Sequence, residues 1–246
     1  MLEVLVAAAD VVAAALAGIL DWRPGGDIEG QYALDLIADG PVCDLLVGAG
    51  FGVLSEESGL HHPERDIVVV VDPVDGSTNA SRRIAYYATS LCAVDADGPL
   101  AALVVNQATG ERFDAVRGNG ARCDGEPIHP SDTVRLDEAL VAFNGLPDHH
   151  WGWDQYRAFG AAALDLCAVA CGRIDGYVDA TESAHGPWDY LGGLLVCSEA
   201  GAVVSDAVGR DLVVLEHEAR RTPVAAGTAA LHETLLGIRG RGTTRP

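Results

Sequence analysis

Residues 67–79 read IVVVVDPVDGSTN, an apolar run that passes directly into two aspartates, Asp72 and Asp75. A continuous run of β-branched residues is typical of a strand that is buried on both faces of its sheet. Pro73 fixes the backbone between the two carboxylates, and Gly76 is expected to let a phosphate or a metal ion approach closely. Because hard divalent cations prefer oxygen ligands, this turn predicts a metal site. The alternative interpretation is an acidic turn capped by aspartate.

The patterns around this stretch predict two unlike halves of the chain. Upstream, two helical segments precede the first clear strand: Val4–Leu20, closed by a Pro24–Gly26 breaker, and Tyr32–Val47. Downstream, strands joined by turns predict an antiparallel meander, and alternating elements then predict an α/β arrangement. These elements are strands Ser90–Val94, Leu100–Val105 and Glu111–Val116, strand Leu140–Phe143, helix Asp154–Cys171, strand Ile174–Val178, helix Asp189–Ala200, and strands near Ala202–Val204 and Pro223–Ala226. We expect an α+β half over residues 1–135, which carries the metal-binding turn, and an α/β half over residues 136–246, which closes the active site.

The charge balance excludes several kinds of function. Thirty-six acidic residues stand against 16 basic ones, which are all arginine, and the formal net charge is -20. Without a lysine, the chain cannot form a Walker phosphate loop or a pyridoxal Schiff base. A strongly acidic surface repels polyanions, so we expect neither nucleic acid nor a membrane as a partner.

The cysteines and the N-terminal segment indicate a cytoplasmic protein. The six cysteines are scattered without a CxxC pair, and several lie in apolar stretches, as buried thiols do in reducing compartments. Disulfides or a zinc site are the alternative. Glu3 and Asp10 interrupt the apolar N-terminal segment, which favours a buried first helix over a signal peptide or a membrane span.

Three motifs in a fixed order resemble the inositol monophosphatase family, which consists of metal-dependent, lithium-sensitive phosphomonoesterases. They are SEESG at residues 55–59, DPVDGSTN at residues 72–79 and PWDYLGGLLVCSEAGA at residues 187–202. The family carries a GEES-like turn, a DP(I/V)DGT(T/S)N motif and a late WD followed by an EAGG-like run. The resemblance covers about residues 30–230. It implies a layered αβαβα sandwich with the active site between the halves, and often a homodimer.

The resemblance implies a set of Mg2+ ligands. These are Glu56, Asp72 and the main-chain carbonyl of Val74 for the first ion, and Asp72, Asp75 and Asp189 for the second ion. Asp72 would then bridge the two ions. No residue in the region 23–35 matches the lysine that the family carries there. The role of the family's mobile loop, and the presence of a third ion, therefore stay open in this chain.

Further residues match positions at which the family contacts its substrate. They are Gly76 and Ser77 for the phosphate, Gly160, Ala161 and Ala162 for the pocket wall, and Glu182 for hydroxyl groups of the leaving group. Glu182 favours a polyol or an amino-alcohol as the leaving group. A carboxylate at this position would repel the phosphate of a nucleotide.

The implied mechanism needs no covalent enzyme intermediate. A metal-activated water, oriented by Glu56 and Ser77, would attack the phosphate in line while the second ion stabilises the departing oxygen. The family usually has threonine at the position of Ser77, and serine keeps the hydroxyl but loses the methyl group that restrains it. Asp35 is the candidate that orients this hydroxyl. The alternative for Asp35 is an exposed helical residue.

The motifs together predict Mg2+-dependent hydrolysis of a small phosphomonoester, most simply inositol monophosphate or a similar polyol or amino-alcohol phosphate. Alternatives within the superfamily are histidinol phosphate, fructose 1,6-bisphosphate and 3'-phosphoadenosine 5'-phosphate. A non-enzymatic alternative is a metal-binding remnant that acts as a partner protein. Such a remnant would be expected to have lost ligands, but Glu56, Asp72, Asp75 and Asp189 are all present.

Overall fold

The computed structural model describes residues 1–23 and 32–242, which form two sheets and the helices around them. The first part of the chain contains α1 (Leu2–Ala17), α2 (Ala33–Gly48), β1 (Gly52–Ser55), β2 (Gly59–His61), β3 (Val68–Asp75), α3 (Ser77–Ser81), β4 (Ala88–Asp95), β5 (Gly98–Asn106), β6 (Arg112–Val116), β7 (Ala121–Cys123) and β8 (Glu126–Pro127). The second part contains β9 (Leu140–Asn144), β10 (Gln155–Arg157), α4 (Ala162–Ala170), β11 (Gly176–Asp179), α5 (Pro187–Ala200), β12 (Val203–Asp206), β13 (Pro223–Ala226) and α6 (Ala229–Gly242). The predicted Pro24–Gly26 breaker lies outside the described residues, as does most of the region where the lysine is missing.

The first sheet has eight strands in the order β2-β1-β3-β4-β5-β6-β7-β8. Neighbouring strands are antiparallel except for β1 and β3, which are parallel. Val69 and Val71 of β3 pack with α1 and α2, whereas Val68 and Val70 pack with α4 and α5. Both faces of the strand are therefore covered, which explains the unbroken apolar run before Asp72.

The second sheet has five strands in the order β10-β9-β11-β13-β12. One face packs against Leu231 and Leu235 of α6, and the other contributes Ala142, Tyr177 and Ala225 to the core around α4 and α5. The layers are therefore α1 with α2, the first sheet, α4 with α5, the second sheet, and α6. This arrangement confirms the expected αβαβα sandwich.

Helix α1 is a core helix, as its sequence predicts. Leu5, Ala8 and Val12 on its inner face are completely buried and pack with α2 and the first sheet. Within the described ranges, no helix is long and apolar enough to cross a membrane. The apolar character of the N-terminal segment therefore reflects packing inside the molecule.

The expected helix Asp154–Cys171 is wrong in its first half. Residues Gln155–Arg157 form strand β10, and α4 begins only at Ala162. Gly160 lies between them with φ 85°, a left-handed conformation that interrupts a helix. The apolar pattern continues through this turn, so periodicity alone does not reveal the break.

Several short elements were not expected from the sequence. Strands β1 and β2 precede β3, although only two helices were expected before the first clear strand. Strands β7 and β8 and helix α6 were also missed. These strands have two to four residues each, which is too short for a period of two to stand out.

The division of the chain at residue 135 stays a proposal. The strands of the first sheet end at Pro127, and those of the second sheet begin at Leu140. However, α4 and α5 follow residue 135 and cover the first sheet. The two halves therefore share one helical layer.

Helices α4 and α5 approach so closely that their contact requires glycine. A Cβ on Gly193 would lie 2.6 Å from Leu166 Cβ and 3.2 Å from the Ala163 carbonyl oxygen. We expect Gly193→Ala to lower the free energy of unfolding by about 1–3 kcal/mol, because overpacking displaces the facing helix. The control is Gly237→Ala in α6, where an added Cβ meets nothing within 4 Å. This variant should raise the free energy of unfolding by about 0.5–1 kcal/mol. Urea unfolding that shows equal stability for both variants would contradict this packing.

Candidate active site

Asp72 and Asp75 lie at the end of the buried strand β3, and backbone hydrogen bonds fix both carboxylates. Asp72 is 1% exposed, and its Oδ1 accepts a hydrogen bond from the Val74 amide at 2.9 Å. Asp75 accepts hydrogen bonds from the first turn of α4, from Ala162 N at 3.2 Å and from Ala163 N at 2.7 Å. A carboxylate at a helix N-terminus satisfies backbone donors that have no partner within the helix. Asp75 therefore joins β3 to the second half of the chain.

Asp189 completes a group of three carboxylates. It lies in the first turn of α5, where its Oδ2 accepts a hydrogen bond from the Gly186 amide at 2.7 Å. One oxygen each of Asp72, Asp75 and Asp189 lie within 4.8 Å of one another. Such an all-oxygen donor set suits a hard divalent cation such as Mg2+. The residues present therefore fit the metal that the resemblance implies.

Burial and mutual repulsion act on these carboxyl groups in the same direction. Removal from water, followed by the charges of Glu56 and Asp75, raises the pKa of Asp72 well above its usual value. Burial and the charge of Asp189 likewise raise the pKa of Glu56 and that of Asp75. A cation among the carboxylates reverses this effect, because it stabilises their ionised forms.

Glu56 reaches Asp72 from the turn that follows β1. Its amide donates to the Val71 carbonyl at 3.1 Å, and its carboxyl group is within hydrogen-bonding reach of Asp72. The preceding Ser55 donates its hydroxyl to the buried Asp39 of α2, which fixes the turn to that helix. Sequence reasoning missed Asp39 and Ser55, because their contact joins residues 16 positions apart.

The turn after Asp75 requires glycine because it packs closely against the second half. Gly76 has φ 88°, and a Cβ on it would lie 2.9 Å from the Gly160 carbonyl oxygen and 3.2 Å from that of Tyr86. The glycine was expected to leave space for a phosphate or a metal. That expectation stays a prediction, and the left-handed conformation and the contact with neighbouring backbone are separate reasons for glycine at this position.

Asp35 and Ser77 are brought together by α2 and α3. The Ser77 hydroxyl has one hydrogen and two acceptors in range, Asp35 Oδ1 at 2.7 Å and the Val74 carbonyl at 2.8 Å. Asp35 is 4% exposed, so the alternative of an exposed helical residue is wrong. Burial raises the pKa of Asp35 to about 7, although the hydrogen bond from Ser77 acts in the opposite direction.

Asn79 is a site residue that sequence reasoning missed. Its Nδ2 donates to the Tyr86 carbonyl at 2.8 Å and to the Phe159 carbonyl at 2.7 Å, which lies 80 positions away. It therefore ties α3 to the segment that contains Gly160. The available signal was its position as the last residue of DPVDGSTN.

A cavity of about 200 Å³ lies beside Asp75. It is lined by Asp75, Phe143, Asn144, Gly160, Ala161, Ala162, Asp165, Tyr177 and His185. The structure thus brings the predicted pocket-wall residues next to a carboxylate of the acidic group. It adds polar side chains that the sequence had not indicated, among them Asp165, Tyr177 and His185.

His185 connects this cavity to the acidic group. Its Nδ1 lies 3.4 Å from Asp189 Oδ2, and its Nε2 lies 2.9 Å from the Tyr177 hydroxyl. Burial disfavours the charged imidazolium, but the hydrogen bond and charge of Asp189, with the charges of Asp179 and Asp75, outweigh this effect and raise the pKa of His185 to about 9. The imidazole is thus one positive partner for the neighbouring carboxylates.

Glu182 lies apart from the other predicted site residues. It is exposed and lines a different cavity of about 180 Å³, which also contains Arg210 and Arg239. Its contact with a leaving group stays a prediction. The Val74 carbonyl as a metal ligand also stays a prediction, and in the structure it accepts a hydrogen bond from the Ser77 hydroxyl.

Comparisons with known proteins agree with this geometry. The model of the inositol monophosphatase family matches residues 48–242. A fructose-1,6-bisphosphatase/inositol-1-monophosphatase of Archaeoglobus fulgidus is 32% identical over 225 residues, which cover 89% of this chain and 88% of that protein. The Nus factor SuhB of Escherichia coli is 33% identical over 179 residues, covering 64% and 63% of the two chains.

The comparison with solved structures leads to the same family. The structure of an inositol monophosphatase from Anabaena superposes with a TM-score of 0.79 at 26% identity, covering 97% of this chain and 94% of that chain. The family is metal-dependent, and Asp72, Asp75 and Asp189 form a group that can bind a metal. The chain therefore belongs to the inositol monophosphatase family and is a phosphatase.

Proposed function

We propose that this phosphatase hydrolyses a small polyol or amino-alcohol phosphate, such as inositol monophosphate, in a Mg2+-dependent reaction. The observation that carries the proposal is the group of three carboxylates, with oxygens within 4.8 Å of one another, beside a polar cavity of about 200 Å³. The carboxylates provide a place for cations next to the phosphate, and the cavity provides a place for the leaving group.

The carboxylates have distinct parts in this proposal. Asp72, Asp75 and Asp189 would hold one Mg2+, and Glu56, Asp72 and the Val74 carbonyl would hold another. The bound cations would neutralise the phosphoryl oxygens and stabilise the leaving alkoxide.

Ser77 and Asp35 would orient the attacking water as one unit. When Ser77 gives its hydrogen to Asp35, its oxygen lone pairs remain available to accept a hydrogen bond from water. Glu56 would accept the second hydrogen of this water. The backbone at Gly76 and Ser77 would bind the phosphate, and Asn79 would keep that backbone next to residues Gly160–Ala162.

The cavity favours a hydroxyl- or amine-bearing leaving group. Asn144, Asp165, Tyr177 and His185 offer donors and acceptors to such groups, and most of the remaining wall is small or backbone. Within the described part of the chain, arginine is absent from this wall, so a second phosphate would meet Asp75 and Asp165 with only the His185 imidazole as a positive partner. This supports a monoester over fructose 1,6-bisphosphate or 3'-phosphoadenosine 5'-phosphate. Location in the cytoplasm and assembly as a homodimer are further parts of the proposal.

The direct test is phosphate release from a panel of esters. The panel contains inositol 1-phosphate, histidinol phosphate, fructose 1,6-bisphosphate, 3'-phosphoadenosine 5'-phosphate and p-nitrophenyl phosphate. We expect turnover with Mg2+, no turnover in excess EDTA, and the highest kcat/KM for a monoester with a polyol or an amino-alcohol. Full turnover in EDTA would exclude the metal-dependent mechanism, and a preference for a bisphosphate would overturn the substrate assignment.

Asp72→Asn serves as the matched variant for this assay. It removes a negative charge from the centre of the acidic group, and we expect kcat to fall at least about 100-fold, as for other strong electrostatic groups. Asp97→Asn is the control, because Asp97 lies in an exposed turn between β4 and β5. A metal-binding remnant without enzyme activity would bind Mg2+ and release no phosphate from any ester.

The carboxyl groups also predict how the effect of Mg2+ depends on pH. A carboxyl whose pKa is raised on folding contributes stability that is complete below its unfolded pKa, near 4, and is lost as the pH rises through its folded pKa. Asp35, with a pKa of about 7, acts in this way, as do Glu56, Asp72 and Asp75. His185, raised to about 9, loses its contribution in the same direction. The melting temperature in EDTA should therefore fall from pH 5 to pH 9.

Mg2+ should counteract this loss, because it binds the ionised carboxylates in competition with protons. The measurement is the difference in melting temperature between Mg2+ and EDTA at each pH. We expect this difference to increase steadily with pH in the wild type and to shrink in Asp72→Asn. An equal Mg2+ effect at pH 5 and pH 9 would show that these carboxyl groups do not bind the ion.

A further inference from the structure

The loop between β12 and β13, residues 207–222, contacts both segments that carry the proposed metal ligands. We propose that His217 in this loop is a positioning residue, which holds the Glu56 turn and the start of α5 in register for metal binding. The inference rests on the proposed function, because it assigns Glu56 and Asp189 to two neighbouring metal sites that share Asp72. No sequence motif includes His217.

The first contact fixes the backbone of Glu56. His217 Nε2 lies 2.8 Å from the Glu56 main-chain oxygen, although the two residues are 161 positions apart. Because a carbonyl oxygen only accepts hydrogen bonds, Nε2 carries the proton and donates. The bond uses only the backbone of Glu56, so the side chain stays available for its contact with Asp72.

The second contact fixes the start of α5. The imidazole of His217 packs on the indole of Trp188, with ring centroids 4.9 Å apart and planes inclined by 36°. Trp188 is 3% exposed and immediately precedes Asp189. Arg220 packs over the same indole at 5.1 Å and donates a hydrogen bond to the His217 carbonyl at 2.8 Å. Arg220 therefore stabilises the backbone of the loop at His217.

Other contacts fasten the 207–222 loop to the same helix. The buried Tyr190 hydroxyl donates to the Leu212 carbonyl at 2.8 Å. Arg221 and His185 exchange two backbone hydrogen bonds, at 2.8 Å and 3.2 Å. The loop is thus a fixed part of the α5 start, and His217 connects this unit to the β1–β2 turn of the first sheet.

A connection of this kind matters because the ligands it joins repel each other. Glu56 and Asp189 belong to segments from different halves, and among neighbouring charges Asp189 contributes most to raising the pKa of the half-buried Glu56. Ligands held in place before binding give a tighter metal site than ligands that must first be brought together. Loss of the His217 contact should therefore weaken metal binding more than it slows the chemical step.

Two substitutions separate the hydrogen bond from the ring contact. His217→Phe keeps an aromatic ring against Trp188 but removes the donor, and His217→Gln keeps a donor but removes the ring. His150→Phe is the matched control, because His150 packs on Trp153 at a centroid distance of 4.2 Å and accepts a hydrogen bond from Gly152 N, outside the acidic group. Calorimetric titration of Mg2+ into EDTA-stripped, desalted full-length protein gives the dissociation constant without reference to activity.

We expect the Mg2+ dissociation constant to rise about fivefold in His217→Phe, the size of effect that the loss of one hydrogen bond produces. His217→Gln should stay within about twofold to threefold of the wild type, and His150→Phe should not change it. The Mg2+ concentration for half-maximal phosphate release should rise in parallel, with kcat at saturating Mg2+ kept within about twofold. Melting temperatures in EDTA check that each variant is folded.

Unchanged Mg2+ affinity in a folded His217→Phe would overturn the inference, as would an equal loss in His150→Phe. If His217→Phe does not fold, Arg220→Met tests the same connection, because it removes the contacts of Arg220 with Trp188 and with the His217 carbonyl. It should raise the dissociation constant about twofold to fivefold, and no change would overturn the inference. Failure of the proposed function has a different signature: the wild type itself would not bind Mg2+ or would hydrolyse no ester.

Discussion

The repulsion among carboxylates buried at the end of β3 is the constraint on which the rest of the site depends. Asp72, Asp75 and Asp189 lie with oxygens within 4.8 Å of one another, and the Glu56 carboxyl group is within hydrogen-bonding reach of Asp72. Charges this close tend to separate or to take up protons. The surrounding structure must keep them together, and a divalent cation is the partner that turns the repulsion into binding energy.

Backbone donors from several elements hold this arrangement. The Val74 amide holds Asp72, the first turn of α4 holds Asp75, and the Gly186 amide holds Asp189. Each bond uses part of a carboxylate and leaves further lone pairs free for a cation. The two helix starts also place their positive ends at the acidic group. The αβαβα layering thus has a direct chemical consequence, since it brings α4 and α5 to the end of β3.

Much of this arrangement can be predicted from the sequence, because each motif is a short continuous stretch of residues. The run from Ile67 to Asp75 indicates both the buried strand and its acidic end, and the Trp188–Asp189 pair marks the start of α5. The order of elements indicates an α+β half and an α/β half, and the five-layer fold is what the family resemblance implies. For Asp35 the sequence leaves two alternatives, and its burial excludes the exposed helical residue, whereas its role in orienting the Ser77 hydroxyl for catalysis stays a prediction.

What the sequence did not reveal depends on contacts between distant residues or on backbone conformation. Asn79 and His217 act on carbonyl groups 80 and 161 positions away, and no spacing rule reports such pairs. The turn at Gly160 was hidden in an apolar pattern that continues into α4. Glu182 matches a position at which the family contacts its substrate, and in the structure it lines another cavity, so that its contact with a leaving group stays a prediction.

The most direct test of the account is anomalous diffraction from crystals grown with Mn2+ in place of Mg2+. The scattering of Mn2+ locates the ion independently of any assumption about activity. The account predicts a strong peak between the carboxylates of Asp72, Asp75 and Asp189, and a second peak on the Glu56 side of Asp72. Peaks confined to other acidic surfaces, or carboxylates without any peak at saturating Mn2+, would contradict it.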